Sequence, residues 1–351
     1  MAAVAVDRRA TRAPRTWLWG TVFLSAGAFV ATIAMAPTAS APPVTALAWL
    51  LFIGSSVHVA STGWLLTLPE VRAHAVQRRL RYRWAPIGLV LAGAATAAVL
   101  SPSTLTWFLL PYFAWQFFHF QKQNLGVAAL AASSQHVAPL RRTERRALVL
   151  AGGAGIAGLM AHPALLQLHI DPRIGVVFDI AFVVFAVAVA TGLTALWRRP
   201  ARDRPPGFSI VYTLSLLFSL PIFVFGSPYA AVGGMTVAHG LQYLFLVGLI
   251  AGTRRGASRR LRGVVVANVA LLGGALLSAA SHLHSSTPAA RLVFGAYLGA
   301  VMAHFVIDAG LWRLRDPFPK MFVAHYLPFL VPPGREPGLV PVGDGSSTDI
   351  G

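Results

Sequence analysis

The chain is dominated by apolar stretches long enough to cross a lipid bilayer, separated by short segments that hold most of its charge. A helix of about 20 apolar residues spans the hydrocarbon core and satisfies its own backbone hydrogen bonds there. With 56% hydrophobic and 11% charged residues among its 351, the composition also departs from that of a soluble domain. We therefore predict an all-α polytopic integral membrane helical bundle, a multi-pass protein of the cell membrane.

Hydropathy predicts about ten transmembrane helices. They are expected at residues 17–36, 44–68, 86–101, 104–121, 146–163, 174–197, 208–226, 229–251, 262–281 and 289–312. Three regions follow from these spans: a basic tail at 1–16, a transmembrane helical domain at 17–317 and a second tail at 318–351. Within the second tail, the apolar segment Met321 to Val331 is expected to lie along the membrane surface or to cap the site, and the end of the chain is expected to be disordered.

The positive charge is distributed unevenly between the two sides of the predicted bundle. All of the 29 Lys and Arg residues except Arg173 and Arg291 fall in the termini and loops of one side. Because cytoplasmic loops are rich in Lys and Arg, both termini are predicted to be cytoplasmic. The basic segments suit contact with anionic headgroups, so membrane lipids are expected partners. The net charge of +18 does not indicate nucleic acid, since the chain has no folded basic domain to bind it.

Four of the predicted spans each carry one histidine of particular interest: His58, His119, His239 and His304. Counted from the prolines that mark the outer turns, each lies roughly 17–25 Å into the membrane at 1.5 Å per residue. An ionisable side chain in hydrocarbon is costly unless it pairs, lines a cavity or binds a ligand. Four at similar depth therefore predict one shared site, and they are the predicted metal ligands.

A polar side chain follows each of these histidines at i+4, the spacing that places two residues on one helical face. These residues are Thr62, Gln123, Tyr243 and Asp308, and Gln116 and Gln242 lie about one turn from a histidine. We predict Asp308 and Tyr243 as catalytic residues and Thr62, Gln116, Gln123 and Gln242 as cofactor-binding residues. Asp308 could instead form an ion pair with Arg313 or Arg315, and a membrane histidine could instead form a hydrogen bond between helices.

The ligand types restrict the chemistry. The chain has no cysteine, and no Glu falls within a predicted span, which excludes thiolate sites and disfavours carboxylate-bridged di-iron centres. Iron is the predicted cofactor, with haem or copper as alternatives. We expect a metal-dependent oxidoreductase or oxygenase with its site in the cytoplasmic half of the membrane and a lipophilic small-molecule substrate. Since no nucleotide-binding or flavin motif is present, reducing equivalents would come from an external electron donor.

Three other functions are compatible with the same residues. They are a haem-binding redox protein, a proton-coupled transporter that uses the same histidines, and a non-enzymatic membrane scaffold. In layout the chain is similar to the bacterial carotenoid-cleaving membrane oxygenases, which also carry single histidines on several helices. Their early proline-histidine-glycine signature is absent here, so the similarity concerns layout only and assigns no residue.

Overall fold

The structure is a computed structural model that describes residues 8–37, 41–172, 174–253, 257–283 and 287–331. The first seven residues, Arg173 and the end of the chain after Val331 lie outside the described residues. The predicted disorder of that end is therefore not addressed.

The described residues are helical and contain no strand, as predicted. The helices are α1 (Arg8–Ala34), α2 (Thr45–Leu65), α3 (Pro69–Gln77), α4 (Ala85–Val99), α5 (Pro102–Ser134), α6 (Arg142–Ala161), α7 (Gly175–Trp197), α8 (Pro206–Leu216), α9 (Leu220–Val224), α10 (Tyr229–Gly252), α11 (Ala257–Ser281), α12 (Pro288–Leu311) and α13 (Pro317–Tyr326). Single helical turns at Pro163–Leu166 and Ala201–Asp203 lie between them.

Proline and hydroxyl side chains determine where several helices begin. Pro102 and Pro288 occupy the first turns of α5 and α12, where a missing N–H costs nothing. Ser101 and Thr287 precede them as N-caps, and their hydroxyls accept backbone N–H groups of the first turn at 3.2 and 3.4 Å. The turns predicted from these prolines are therefore present.

Six helices of the described chain are long and apolar enough to cross a membrane. They are Ala13–Ala34 within α1, Thr45–Leu65, Gly175–Trp197, Tyr229–Gly252, Arg260–Ser281 within α11, and Pro288–Leu311. A helical membrane protein is thus supported, while the predicted number of ten spans and the cytoplasmic termini stay predictions.

The other four predicted spans are helical but shorter, more polar or broken. The span at 86–101 is the 15-residue helix α4, and the span at 208–226 is divided between α8 and the short α9. Proline disrupts the interior of a helix but is tolerated in the first turn, and Pro221 lies in the first turn of α9, just after the break. The span at 104–121 is part of α5, which continues through Lys122 and several amides, and the span at 146–163 lies in α6, whose first turn is charged.

Glycine allows the helices to approach closely. In α12, Gly295 and Gly299 are four residues apart and face Gly93 of α4, and a Cβ at any of the three would meet backbone of the other helix. Small residues at this spacing let helices in a membrane pack at backbone contact. As a result α12, which carries His304, is packed along its length against α4.

The end of the bundle that carries most of the Arg and Lys residues, here called the basic end, is held together by a buried ion pair. Arg199 donates to both carboxylate oxygens of Glu144 at 2.5 and 2.6 Å and to the carbonyl of Ala138 at 2.8 Å. Its guanidinium also lies 4.7 Å from the centre of the Phe208 ring. Both charges are fully buried, so the pair depends on these additional contacts.

Helix α13 covers part of the basic end. Its Phe322 and Val323 are buried against the bundle, and the Tyr326 hydroxyl donates to Glu70 of α3 at 3.2 Å. The described part of Met321 to Val331 thus packs on the bundle, while its position relative to the membrane surface stays a prediction.

Candidate metal site

Four helices bring the four predicted histidines into one buried cluster. We call His58 of α2, His119 of α5, His239 of α10 and His304 of α12 the histidine cluster, and each is less than a tenth exposed. Their rings form a closed cycle with centroid separations of 4.9 Å (His58 to His239), 4.9 Å (His239 to His119), 5.2 Å (His119 to His304) and 5.0 Å (His304 to His58). The four histidines therefore lie together, as predicted from the sequence.

In the described part of the chain, the Nε2 atoms of the four histidines do not form hydrogen bonds between helices. The Nε2 atoms of all four are buried and have no hydrogen-bond partner among the described residues, and the same holds for Oδ2 of Asp308. Buried polar atoms are nearly always satisfied, so each exception requires an explanation such as a bound ion. Nδ1 of His58 and Nδ1 of His239 also have no partner among the described residues, so seven such atoms lie in one place, which is the strongest local sign of a ligand.

The spacing of these atoms suits a metal ion. His58, His239 and His304 each offer a ligand atom within 4.8 Å of the others, and so do His119, His304 and Asp308. Four imidazoles bound to one ion at about 2.1 Å would have neighbouring ring centroids roughly 5 Å apart. The observed separations fall at that value, so the side chains are near positions from which they could bind a single ion.

The backbone of α2 is irregular where it delivers His58. Residues Ile53–Val57 form a π-helical turn directly before this histidine, and the carbonyls of Gly54 and Ser55 lie beside its ring. Gly54 also touches α10, since a Cβ on Gly240 would meet the Gly54 backbone. The two helices therefore contact each other through their backbones next to His58 and His239, and π-helical turns of this kind are frequent at functional sites.

A chain of hydrogen bonds holds His304. Its Nδ1 lies 2.7 Å from the hydroxyl of Thr62, which lies 2.7 Å from the hydroxyl of Tyr243. Tyr243 in turn donates to Oδ1 of Asp308 at 3.0 Å. A partner on Nδ1 orients the ring and leaves Nε2 for an ion, as is common around metal-binding histidines.

Asp308 is part of the site and does not pair with the arginines that follow it. Its Oδ2 lies 3.6 Å from Nε2 of His304 and 3.9 Å from Nε2 of His119. Arg313 instead forms an ion pair with Asp316 at 3.6 Å. The carboxylate can therefore either complete the ligand set or accept a proton beside it.

Two phenylalanines stack on rings of the histidine cluster. Phe120 lies against His239 with a centroid distance of 4.1 Å, and Phe305 lies against His119 at 4.6 Å. Each phenylalanine directly follows one histidine in the sequence and stacks on a different one. Sequence reasoning missed both roles, although the two His-Phe pairs were a visible signal. Tyr243, Phe120 and Phe305 each belong to a different apolar core cluster, so the site lies where three parts of the core meet.

The predicted amides lie on two sides of the site. Gln123 donates to the carbonyl of His239 and to the side chain of Gln242, both at 2.9 Å, and Gln242 donates to Ser25 of α1 at 2.7 Å. Gln116 does not join this network. It lines a small cavity of about 30 Å³ on the His58 side, which has room for water.

A larger cavity leads to the site from the basic end. It has a volume of about 480 Å³ and reaches His119, Asp308 and Tyr243. Aromatic and aliphatic side chains form most of its walls, as in small-molecule sites generally. A ligand in this cavity would meet the histidine cluster at its His119 and Asp308 side.

In comparisons with known proteins, the chain matches no protein-family model, no curated protein and no solved structure.

Proposed function

We propose that the protein is an integral membrane, metal-dependent oxidoreductase that holds iron at the histidine cluster and acts on a lipid-soluble substrate. In this proposal His58, His119, His239 and His304 are the ligands, and Asp308 completes or tunes the ligand set. The protein is placed in the cell membrane with both termini in the cytoplasm, so the site opens toward the cytoplasmic leaflet.

One observation carries the proposal. Four Nε2 atoms and one carboxylate oxygen are buried together without hydrogen-bond partners among the described residues. A cluster that served only helix packing would satisfy these atoms, because an unsatisfied buried polar group costs about 1–3 kcal/mol. A bound cation would give such atoms a partner, since His58, His239 and His304 offer ligand atoms within 4.8 Å of one another, as do His119, His304 and Asp308.

The ligand types favour a redox-active ion of the first transition row. Neutral imidazole suits iron, copper and zinc, and a single nearby carboxylate suits iron best among these. Haem fits the arrangement less well. With all four rings about 5 Å from two neighbours, a porphyrin plane between any facing pair would overlap the other two rings.

The protein's own residues would position the substrate and move protons. The cavity admits an apolar molecule to the His119 side, where iron would supply the electron-transfer chemistry. Tyr243 is hydrogen-bonded to both Thr62 and Asp308, so it can pass a proton between them. If both atoms of dioxygen enter the product no donor is needed, whereas insertion of one atom with release of water requires two electrons and two protons from an external donor.

Metal content and absorption of the purified protein test the proposal. We expect roughly one iron per chain in the wild type, without a Soret band, and a loss of most of it in His239→Ala and His304→Ala. His282→Ala is the matched control, because His282 is exposed and far along the chain from the cluster, and it should keep its iron.

A folded wild-type sample that takes up no metal from an iron, copper or zinc solution would overturn the proposal and favour a transporter or a scaffold. A Soret band that disappears in the same two variants would show that the cofactor is haem and not a non-haem iron ion.

A further inference from the structure

The cavity that reaches the histidine cluster has a rim of positive charge. Four cationic side chains line it: Arg81, Lys122, Arg313 and Arg315. They come from three separate parts of the chain, namely the π-helical turn Leu80–Trp84 before α4, the middle of α5 and the connection between α12 and α13. Tertiary folding therefore gathers them at one opening.

The same cavity offers little negative charge. Among the residues that line it, Asp308 is the one carboxylate, and it lies at the inner end with 3% exposure. Asp316 offsets part of the charge of Arg313 from outside the cavity. A cleft lined by one sign of charge between apolar walls concentrates ions of the opposite sign.

The walls between the rim and the histidine cluster are apolar. Trp115, Phe118, Phe305 and Trp312 contribute aromatic rings to them. Phe118 is also 49% exposed at the surface of the bundle, and the Lys122 ammonium lies 5.0 Å from the centre of its ring. At the opening, the exposed ring of Phe118 would therefore face lipid, and the neighbouring Lys122 ammonium could reach the level of the headgroups.

We propose that this cavity binds an anionic amphiphile, with the apolar chain along the aromatic wall and a carboxylate or phosphate at the basic rim. A neutral lipid would leave the cations of the rim without a counter-charge, whereas a carboxylate or phosphate forms charge-assisted hydrogen bonds with Arg and Lys. The cavity volume of about 480 Å³ lies within the usual range for small-molecule sites.

The position of Lys122 defines which part of the amphiphile would react. It is three residues from His119 on α5, or roughly 4.5 Å along the helix axis. An anion at the rim would direct the apolar chain along the aromatic wall, and the part of the chain that reaches the histidine cluster would react. This last step rests on the proposed oxidoreductase function, while binding of the amphiphile does not.

Binding of oleate and oleyl alcohol to the protein in phosphatidylcholine nanodiscs tests the proposal. Trp17, Trp115 and Trp312 line the cavity, so a change in the intensity or emission maximum of tryptophan fluorescence reports occupancy, with empty nanodiscs as the reference. Oleate should bind at least about tenfold more tightly than the alcohol, a difference of about 1.4 kcal/mol. A lysophosphatidate with the same chain should compete with oleate, and inorganic phosphate should not.

Charge variants distinguish the contribution of the rim to oleate binding from that of the protein's overall positive charge. Arg81→Gln/Lys122→Gln, or Lys122→Gln alone if the double variant does not fold, should lose the preference for the acid. Arg198→Gln/Arg202→Gln removes the same charge from exposed positions on another connection and should keep it.

Equal affinity for acid and alcohol in the wild type, an equal loss in both charge variants, or competition by inorganic phosphate would each overturn the proposal. Metal content is measured on the same samples, and binding is repeated after chelation. An acid preference that persists in protein without metal would leave the amphiphile site standing while the oxidoreductase proposal fails.

Discussion

At the scale of single residues, the polar partners of the histidines act across helices. Thr62 follows His58 by four residues, yet its hydroxyl contacts His304 and Tyr243. Gln123 follows His119 in the same way and donates to the carbonyl of His239. The i+4 spacing selected residues that lie beside the histidine cluster, because one helical face points to it, but it could not identify which histidine each residue would contact.

Thr62 provides a test of this arrangement. Thr62→Val keeps the shape of the side chain but removes the hydroxyl that links His304 to Tyr243. Loss of a group that orients a metal ligand typically lowers metal affinity by about 10–100-fold. We therefore expect that decrease when iron is titrated against a competing chelator, with full occupancy still reached at high iron.

Thr67→Val is the control for this measurement. Thr67 lies near the end of the same helix, and its hydroxyl donates to the carbonyl of Trp64 at 2.7 Å, away from the histidine cluster. Equal iron affinity in wild type, Thr62→Val and Thr67→Val would show that the hydroxyl has no part in holding the metal ligand.

At the scale of helices, the contact between α2 and α10 decides whether His58 and His239 meet. A side chain at Gly240 would collide with the backbone of Gly54, four residues before His58. The two rings are 4.9 Å apart only because the helices touch at this point. Packing of small residues thus determines the geometry of the proposed metal site.

Gly240→Ala should separate these two helices. Overpacking a close contact costs about 1–3 kcal/mol, so we expect a lower thermal unfolding temperature together with reduced iron content. Both quantities can be read from one detergent-purified sample by a melting curve and by elemental analysis.

Gly248→Ala on the same helix is the control, because nothing lies within 4 Å of a Cβ at that position. It should leave both the melting temperature and the iron content close to wild type. If Gly240→Ala behaved like this control, the close contact would not determine the site.

At the scale of the whole molecule, orientation in the membrane follows from the distribution of charge. Arg202 lies on the connection between α7 and α8, among the basic segments. His282 directly follows the last residue of α11, a helix whose basic residues Arg260 and Arg262 lie near its other end. Because the chain has no cysteine, a single introduced thiol is the only one available for labelling.

We predict that Arg202→Cys reacts with a membrane-impermeant maleimide only after cells are permeabilised, whereas His282→Cys reacts in intact cells. This outcome would place the basic end and its cavity in the cytoplasm. Labelling of Arg202→Cys in intact cells would show the opposite orientation, with the proposed amphiphile-binding cavity at the outer leaflet.

The helical membrane class and the residues of the candidate site could be predicted from the amino-acid sequence alone. Long apolar stretches and few charges are sums over local composition, which a hydropathy window reads directly. The cost of an imidazole in hydrocarbon made His58, His119, His239 and His304 conspicuous without any knowledge of contacts. The same window does not register a break such as that between α8 and α9, and six of its ten predicted spans coincide with described helices long and apolar enough to cross a membrane.

How these residues meet could not be predicted from the sequence, because it depends on contacts between distant helices. Thr62 and Tyr243 are 181 residues apart, and the rim of the cavity joins Arg81 to residues beyond position 310. Such contacts depend on where helices cross, which is set by glycine contacts, helix ends and the π-helical turn before His58. Periodicity along one helix reports which face is polar, whereas the order of the histidine cycle, the stacking of Phe120 and Phe305 and the basic rim arise from packing between helices.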